Sequence, residues 1–314
     1  MTNVYTCTLN LAIDLFIETK TLKPSIVNRT ISDDIQANGK GVNVSLILNS
    51  LGINSTALGF SAGFTGQYIK DFLWEKGIPN KFVDVEGMTR INVFTKVTEQ
   101  NEEYKLVNAG PKIPNNKIKL LMSEIETIKE QDFLCVSGSF PKGVDKSLLI
   151  DIGQIANKNN FNLVIDTSYK EILDTLKYKP FLIKPNDEEL ASWFGVDEIT
   201  IDNAESYLKK LIDMGAQRIL LSLGAGGCIY IDDKHYIYGN SPKGEVVNTA
   251  CSGDTLLGTF LQGIFTNKDL EENLKYSIAA GSSTAFSKGL TDFKDIEQLR
   301  KQIKINNLRR DKHD

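Results

Sequence analysis

Hydrophobic residues in the second half of the chain come in short continuous runs, separated by amphipathic stretches. Phe133-Leu134-Cys135-Val136-Ser137 reads as a buried strand, Leu148 to Lys158 as a helix, and Leu163-Val164-Ile165-Asp166 as the next strand. Phe181 to Lys184 is a further strand, followed by Pro185 and a helix from about Asp187. Asn203 to Met214 is a helix that Gly215 stops, and Arg218 to Ser222 is a strand again. A glycine-rich turn, Ser222 to Gly227, leads into another strand, Cys228 to Ile231. After Asp254, the residues Leu256, Leu257, Phe260, Leu261, Ile264 and Phe265 fall on one face of a helix. Repeated strand–helix units predict an α/β fold with a doubly wound, mostly parallel sheet and helices on both faces. Ligands on such sheets bind beyond the carboxyl ends of the strands. Ser137-Gly138-Ser139, Asp166-Thr167-Ser168, Lys184-Pro185-Asn186 and Ser222-Leu223-Gly224 all fall there.

The first third has a different texture. Val4 to Leu9 is a strand pattern, and Asp14 to Glu18 and Ile91 to Val97 alternate with period two. Tyr104 to Val107 follows across a polar turn, Glu99 to Glu103. These stretches predict a small sheet lying off the main one. Between them Gly39-Lys40-Gly41 opens a helix through Leu46, Ile47 and Leu51, stopped at Gly52. No internal repeat or low-complexity linker interrupts the 314 residues, so a single domain is expected.

Composition narrows the chemistry. Hydrophobic residues make up 41% and charged residues 24%, enough for a substantial core. A net charge of -4 argues against non-specific nucleic-acid binding, and no apolar run reaches bilayer length, so neither partner is expected. No signal peptide is apparent. Cys7, Cys135, Cys228 and Cys251 are far apart, with no C-x-x-C pair, which fits a reducing cytoplasm better than disulfides or structural zinc. The two histidines lie in a hairpin, Asp232-Asp233-Lys234-His235, and in the polar tail, His313, near the basic stretch Arg309-Arg310-Asp311-Lys312. A general base is therefore expected to be a carboxylate.

Asn248-Thr249-Ala250-Cys251-Ser252-Gly253-Asp254-Thr255 is a small-residue loop running straight into a helix. Unpaired N–H groups in a first helical turn attract anions, and Asp254 there can take a proton. The plainer alternative is that Asp254 caps the helix. Asn38-Gly39-Lys40-Gly41-Val42-Asn43 is a second glycine loop; it fits neither G-x-x-x-x-G-K-[ST] nor G-x-G-x-x-G. Lys184-Pro185-Asn186-Asp187-Glu188-Glu189 offers either capping chemistry or, through Asn186 and Glu189, a hold on a hydrated Mg²⁺. The amides of Ser222 to Gly227 can cradle a nucleotide phosphate. In Thr89-Arg90-Ile91-Asn92 the guanidinium suits a phosphate, and Arg29 and Lys40 can join it.

Taken in order, these motifs resemble the phosphofructokinase B branch of the ribokinase family along nearly the whole chain. The matching pieces are Thr8-Leu9-Asn10 with Asp14, Gly39-Lys40-Gly41-Val42-Asn43, Thr89-Arg90-Ile91-Asn92-Val93, Val136-Ser137-Gly138-Ser139 with Pro141, Lys184-Pro185-Asn186 with Glu189, Ser222-Leu223-Gly224, and Gly253-Asp254. With Val27-Asn28-Arg29 added, the pattern is most similar to the 1-phosphofructokinase group, with tagatose-6-phosphate kinases next. The resemblance implies a ribokinase-like fold and transfer of phosphate from MgATP to the 6-hydroxyl of fructose 1-phosphate. Tagatose 6-phosphate or fructose 6-phosphate are alternative acceptors, and a non-catalytic sugar-phosphate-binding regulator is the reading from another class. It implies Asp254 as base, with Cys251, Ser252 and Gly253 completing the catalytic turn. Asp14, Gly39, Asn43 and Asn92 would hold sugar hydroxyls, and Arg29, Lys40, Arg90 and Ser139 the sugar's phosphate. Lys184, Asn186, Ser222, Gly224, Gly227, Gly253 and Ser283 would face the nucleotide, with Glu189 near Mg²⁺. Segments near 12–37 and 87–108 would form a lid that pairs in a homodimer. Cys251-Ser252 stands where Gly-Ala is usual, and Asn38 where Gly is common. A positive φ at Cys251 would be strained, and its place near a helix N-terminus predicts a lowered thiol pKa and sensitivity to oxidation.

Overall fold

The computed structural model describes residues 2–308, so His313 and the basic stretch 309–312 lie outside the described residues. The strands are β1 (Val4–Thr8), β2 (Ala12–Thr19), β3 (Thr30–Asn38), β4 (Thr56–Ala62), β5 (Asn80–Val85), β6 (Arg90–Val97), β7 (Glu102–Leu106), β8 (Phe133–Ser137), β9 (Asn162–Asp166), β10 (Leu182–Ile183), β11 (Ile219–Ser222), β12 (Cys228–Ile231), β13 (Tyr236–Gly239) and β14 (Ile305–Asn307). The helices are α1 (Lys40–Ser50), α2 (Gly63–Glu75), α3 (Asn115–Ile125), α4 (Leu148–Asn159), α5 (Ile172–Thr175), α6 (Asp187–Phe194), α7 (Ala204–Asp213), α8 (Ser252–Phe265), α9 (Leu270–Ala285) and α10 (Ile296–Arg300).

Ten strands form the main sheet in the order β14-β13-β12-β11-β10-β9-β8-β1-β4-β5. It is parallel from β11 to β5, and β12, β13 and β14 extend it antiparallel. Alternate residues of each buried strand serve opposite cores: Leu163 and Ile165 of β9 join one with α4, α6 and α7, and Val164 joins the other with α1, α8 and α9. Among the described residues no helix is long and apolar enough to cross a membrane.

A second sheet has four strands in the order β3-β2-β6-β7. One of its cross-strand rows is apolar, Ile35-Leu15-Val93-Leu106, and the row beside it on the other face is Gln36-Asp14-Asn92. The first third also contains β4, α2 and β5, which the period-two reading passes over. Helix α2 carries glycine at positions 63 and 66 and exposes Phe64 and Trp74, so its local signal is weak; Ile69 and Leu73, both fully buried, anchor it. Gly258 of α8 lets Ile47 of α1 approach closely, since a Cβ there would stand 2.9 Å from Ile47 Cγ2. That contact sets the N-terminal turns of α1 and α8 side by side.

Candidate active site

The closeness of α1 and α8 brings Asn43 to Asp254. Asn43 Nδ2 donates to Asp254 Oδ2 at 2.7 Å and to Asn38 Oδ1 at 2.8 Å. Asn38 Nδ2 in turn donates to Asp14 Oδ2, and Asp14 Oδ1 accepts from Asn92 Nδ2 at 2.8 Å. A continuous amide–carboxylate chain therefore runs from the second sheet to the first turn of α8. Asp254 is 5% exposed and makes no capping bond, so the alternative of a helix cap does not hold. Burial pushes its carboxyl up to about 6 against the pull of Lys40, Asp166 adds to the rise, and Asn43 and Lys184 oppose it. Burial likewise raises Asp14, opposed by Asn92, Asn38 and Arg90.

Asn38 and Asp254 of this chain, but not Asp14, Asn43 or Asn92, line a cleft of about 990 Å³ beyond the carboxyl ends of β10 and β11. Asn38, Lys40, Lys184, Asn186, Glu189, Ser222, Gly224, Gly227 and the turn Cys251-Ser252-Gly253-Asp254 line it. Asn186 bridges to Ser222 in parallel register, which holds the segments that follow β10 and end β11 together. Asn186 and Glu189 form a capping box: Glu189 N donates to Asn186 Oδ1 at 2.7 Å and Asn186 N to Glu189 Oε2 at 3.0 Å. Glu189 keeps Oε1 out of that box. Among the described residues no three His, Cys, Asp or Glu side chains cluster in a way that could hold a metal ion.

Arg90 forms a second cluster at the base of the small sheet. Its Nη2 donates to Asn10 O at 3.1 Å and Ser139 Oγ at 3.4 Å, and its Nη1 to Asn108 O at 3.2 Å. Asn10 Oδ1 and Arg90 Nε are buried without hydrogen-bond partners, and burial lowers the Arg90 pKa. Of these two atoms only Arg90 Nε, a donor on a cation, suits an anion.

Three expectations are corrected. Arg29 does not join Arg90: Thr19 pairs with Thr30 at the far end of β2, whereas Ala12 pairs with Arg90 at the near end, seven residues or roughly 23 Å away. Ser283 does not face the cleft; its hydroxyl lies 2.6 Å from Thr291 Oγ1 and donates to Asp295 Oδ1 at 2.5 Å. Ser282, one residue earlier on the helix, lines the cleft, with its Oγ 3.3 Å from Ser241 Oγ. Cys251 does have the strained φ, at 63°, but its thiol pKa is raised rather than lowered. Burial and then the nearby Asp254 and Asp14 raise it, while Asn38 and Asn43 oppose them. Sequence reasoning also passed over the roles of Asn10, Asn38, Asp166, Ser241 and Ser282. Asn10 and Asn38 lay within motifs already singled out, and Asp166 carried a signal as a charge ending a buried strand; Ser241 and Ser282 carried none.

A family model for pfkB family carbohydrate kinases matches residues 6–297. The chain is 43% identical over 306 residues to the D-tagatose-1-phosphate kinase of Bacillus licheniformis, covering 97% of this chain and 100% of that one. It is 33% identical to the 1-phosphofructokinase of Bacillus subtilis, with the same coverage. The fold is similar to the crystal structure of Escherichia coli phosphofructokinase-2 in complex with substrates and products, with a TM-score of 0.88, 25% identity and coverage of 96% and 99%. With the fold, the motifs and these matches in agreement, the chain belongs to the pfkB family of carbohydrate kinases, phosphotransferases acting on an alcohol group.

Proposed function

We propose that this sugar-phosphate kinase transfers the γ-phosphoryl group of ATP to the 6-hydroxyl of a ketohexose 1-phosphate, giving the 1,6-bisphosphate and ADP. The observation that carries the reading is Asp254, a buried carboxylate at an open helix N-terminus, tied through Asn43 and Asn38 to Asp14. In this reading Asp254 takes the hydroxyl proton as the oxygen attacks phosphorus, and the bond from phosphorus to the ADP oxygen breaks. The N–H groups of the first turn of α8, with Lys40 and Lys184, stabilise charge on the group in transit. Asp14, Asn38 and Asn43 hold sugar hydroxyls. Arg90, Ser139 and Asn10 hold the sugar's own phosphate. Glu189, with Oε1 outside its capping box, would hold a Mg²⁺ ion, which takes one or two carboxylates together with substrate phosphates and would neutralise triphosphate charge when bound.

Fructose 1-phosphate is the acceptor that the motif pattern favours. The 43% identity to a D-tagatose-1-phosphate kinase, against 33% to a 1-phosphofructokinase, favours a second reading with D-tagatose 1-phosphate preferred. The two sugars differ only at C4 and offer the same phosphate and hydroxyl. ADP release should be compared by kcat/KM for these two, tagatose 6-phosphate and fructose 6-phosphate; no turnover with either 1-phosphate overturns the proposal. Asp254→Asn should lower kcat by about a thousandfold or more, and a loss below about tenfold refutes the base assignment. The row Ile35-Leu15-Val93-Leu106, with Ile35 and Leu106 exposed, supports pairing of two small sheets as lids in a homodimer. Sedimentation at micromolar concentration should give a dimer; a monomer there removes this part of the reading.

A further inference from the structure

Asp166 ends β9 with no solvent exposure at all. An isolated carboxylate in such a place would be neutral. Burial does work to raise its pKa, but the Lys184 and Lys40 ammonium groups outweigh it and hold Asp166 below the usual carboxylate range. Both lysines reach the same oxygen: Lys184 Nζ lies 3.2 Å and Lys40 Nζ 3.3 Å from Oδ1. Oδ2 has no hydrogen-bond partner. This is a poor arrangement for stability alone. One lysine would neutralise the carboxylate, and the second adds a like charge beside the first.

The two lysines arrive from different elements that line the cleft. Lys40 opens α1 in the glycine loop beside the Asn38–Asn43 chain, and its charge acts on Asp254. Lys184 follows β10 on the nucleotide side and is itself 4% exposed. Its Nζ stands 3.2 Å from the position a Cβ on Gly253 would take, so it borders the first turn of α8. We propose that Asp166 is a positioning residue for phosphoryl transfer, gathering Lys40 and Lys184 through one oxygen so that both cations face the group moving across that turn. Fixed cations at the point where charge passes need no reorganisation during the reaction. The proposal rests on the reading of the α8 turn as the transfer site.

Asp166→Asn keeps the shape and an oxygen acceptor but removes the charge that gathers the lysines. Its kcat should fall roughly 30- to 100-fold, while KM for the sugar phosphate stays within about threefold, because none of Asp14, Asn43 and Arg90 bonds to Asp166. A loss carried by KM alone, or a kcat within threefold of wild type, overturns the proposal. If the single variant does not fold, Asp166→Asn combined with Lys184→Met decides, since the pair is then removed together. Lys40 remains for Asp166 to hold in the Lys184→Met background, so the double variant should be slower than Lys184→Met alone by clearly less than the roughly 30- to 100-fold of the single change; losses that multiply in full overturn the proposal. Asp254→Asn separates the two levels. If that variant is inactive while Asp166→Asn is not impaired, the positioning role alone fails; if Asp254→Asn stays active, the transfer-site reading fails.

Discussion

Replacing Asn43 by alanine tests whether Asp254 is a base tuned by its neighbours. Asn43 Nδ2 donates to Asp254 Oδ2 at 2.7 Å, and this bond favours the charged carboxylate, working against the burial that sets the pKa at about 6. Loss of the bond therefore moves the pKa upward. A hydrogen bond to a charged group contributes about 1.5 to 3 kcal/mol, equivalent to about one to two pH units, so the variant should titrate between roughly 7 and 8. In wild type, kcat/KM should fall about tenfold between pH 7 and 5 as Asp254 takes up its proton. In Asn43→Ala the same limb should begin above neutrality. With a pKa near 7.5 about a quarter of the enzyme is ionised at pH 7, and most of the loss from protonation is recovered by pH 9. Steady-state ADP release measured from pH 5 to 9.5 is the assay. Asn92→Ala is the control: it removes a bond to Asp14 rather than to Asp254, so the limb should remain near 6 while KM for the sugar rises. If Asn43→Ala lost the same factor at every pH, with its limb still near 6, the tuning argument would be refuted.

Three further outcomes follow from the corrected positions. At pH 7.5 Cys251 should react with iodoacetamide more slowly than an ordinary exposed thiol, because burial and two nearby carboxylates keep it protonated; rapid alkylation that ATP prevents would restore the redox reading. Ser282→Ala should raise KM for ATP severalfold with little change in denaturant midpoint, as measured by parallel kinetics and urea unfolding. Ser283→Ala should do the reverse, costing about 1 to 3 kcal/mol by taking from Asp295 its buried hydroxyl donor, and a change in KM for ATP without destabilisation would contradict its placement.

Where the sequence is legible, a single physical rule dominates. From Phe133 to Ile231 the strands are buried on both faces, so each appears as an apolar run ended by a polar residue, and the helices between announce themselves by one apolar face. In the first third that rule weakens. β5 is half-buried or exposed except at Val85, and α2 depends on two anchoring residues rather than on helix-forming composition. Residue types at the site were legible for the same reason as the strands: they cluster where strands end. The contacts were not. Asn38 to Cys251 and Asn43 to Asp254 are separated by more than 200 residues, and only the α1–α8 packing joins them. Cys251 shows the cost of local reasoning, since burial first, and then carboxylates nearby in space, raise its thiol pKa although a helix terminus is nearby in sequence.

The chain from Asp14 to Asp254 also explains why its links are amides. Two buried carboxylates brought to one cleft repel, and a lysine between them would relieve that at once. It would also hold Asp254 in the ordinary carboxylate range or below, leaving a weak base for a hydroxyl proton. Asn38 and Asn43 give each carboxylate a hydrogen bond without a charge, so burial keeps the upper hand and Asp254 stays near 6. Lys40 is close enough to undo this, because its charge is the strongest influence lowering Asp254. Its ammonium is instead bound to Asp166. In the proposed reading, two opposed requirements, a base that still attracts a proton and cations that attract a polyphosphate, are met beside the first turn of α8 by giving the cations a carboxylate of their own.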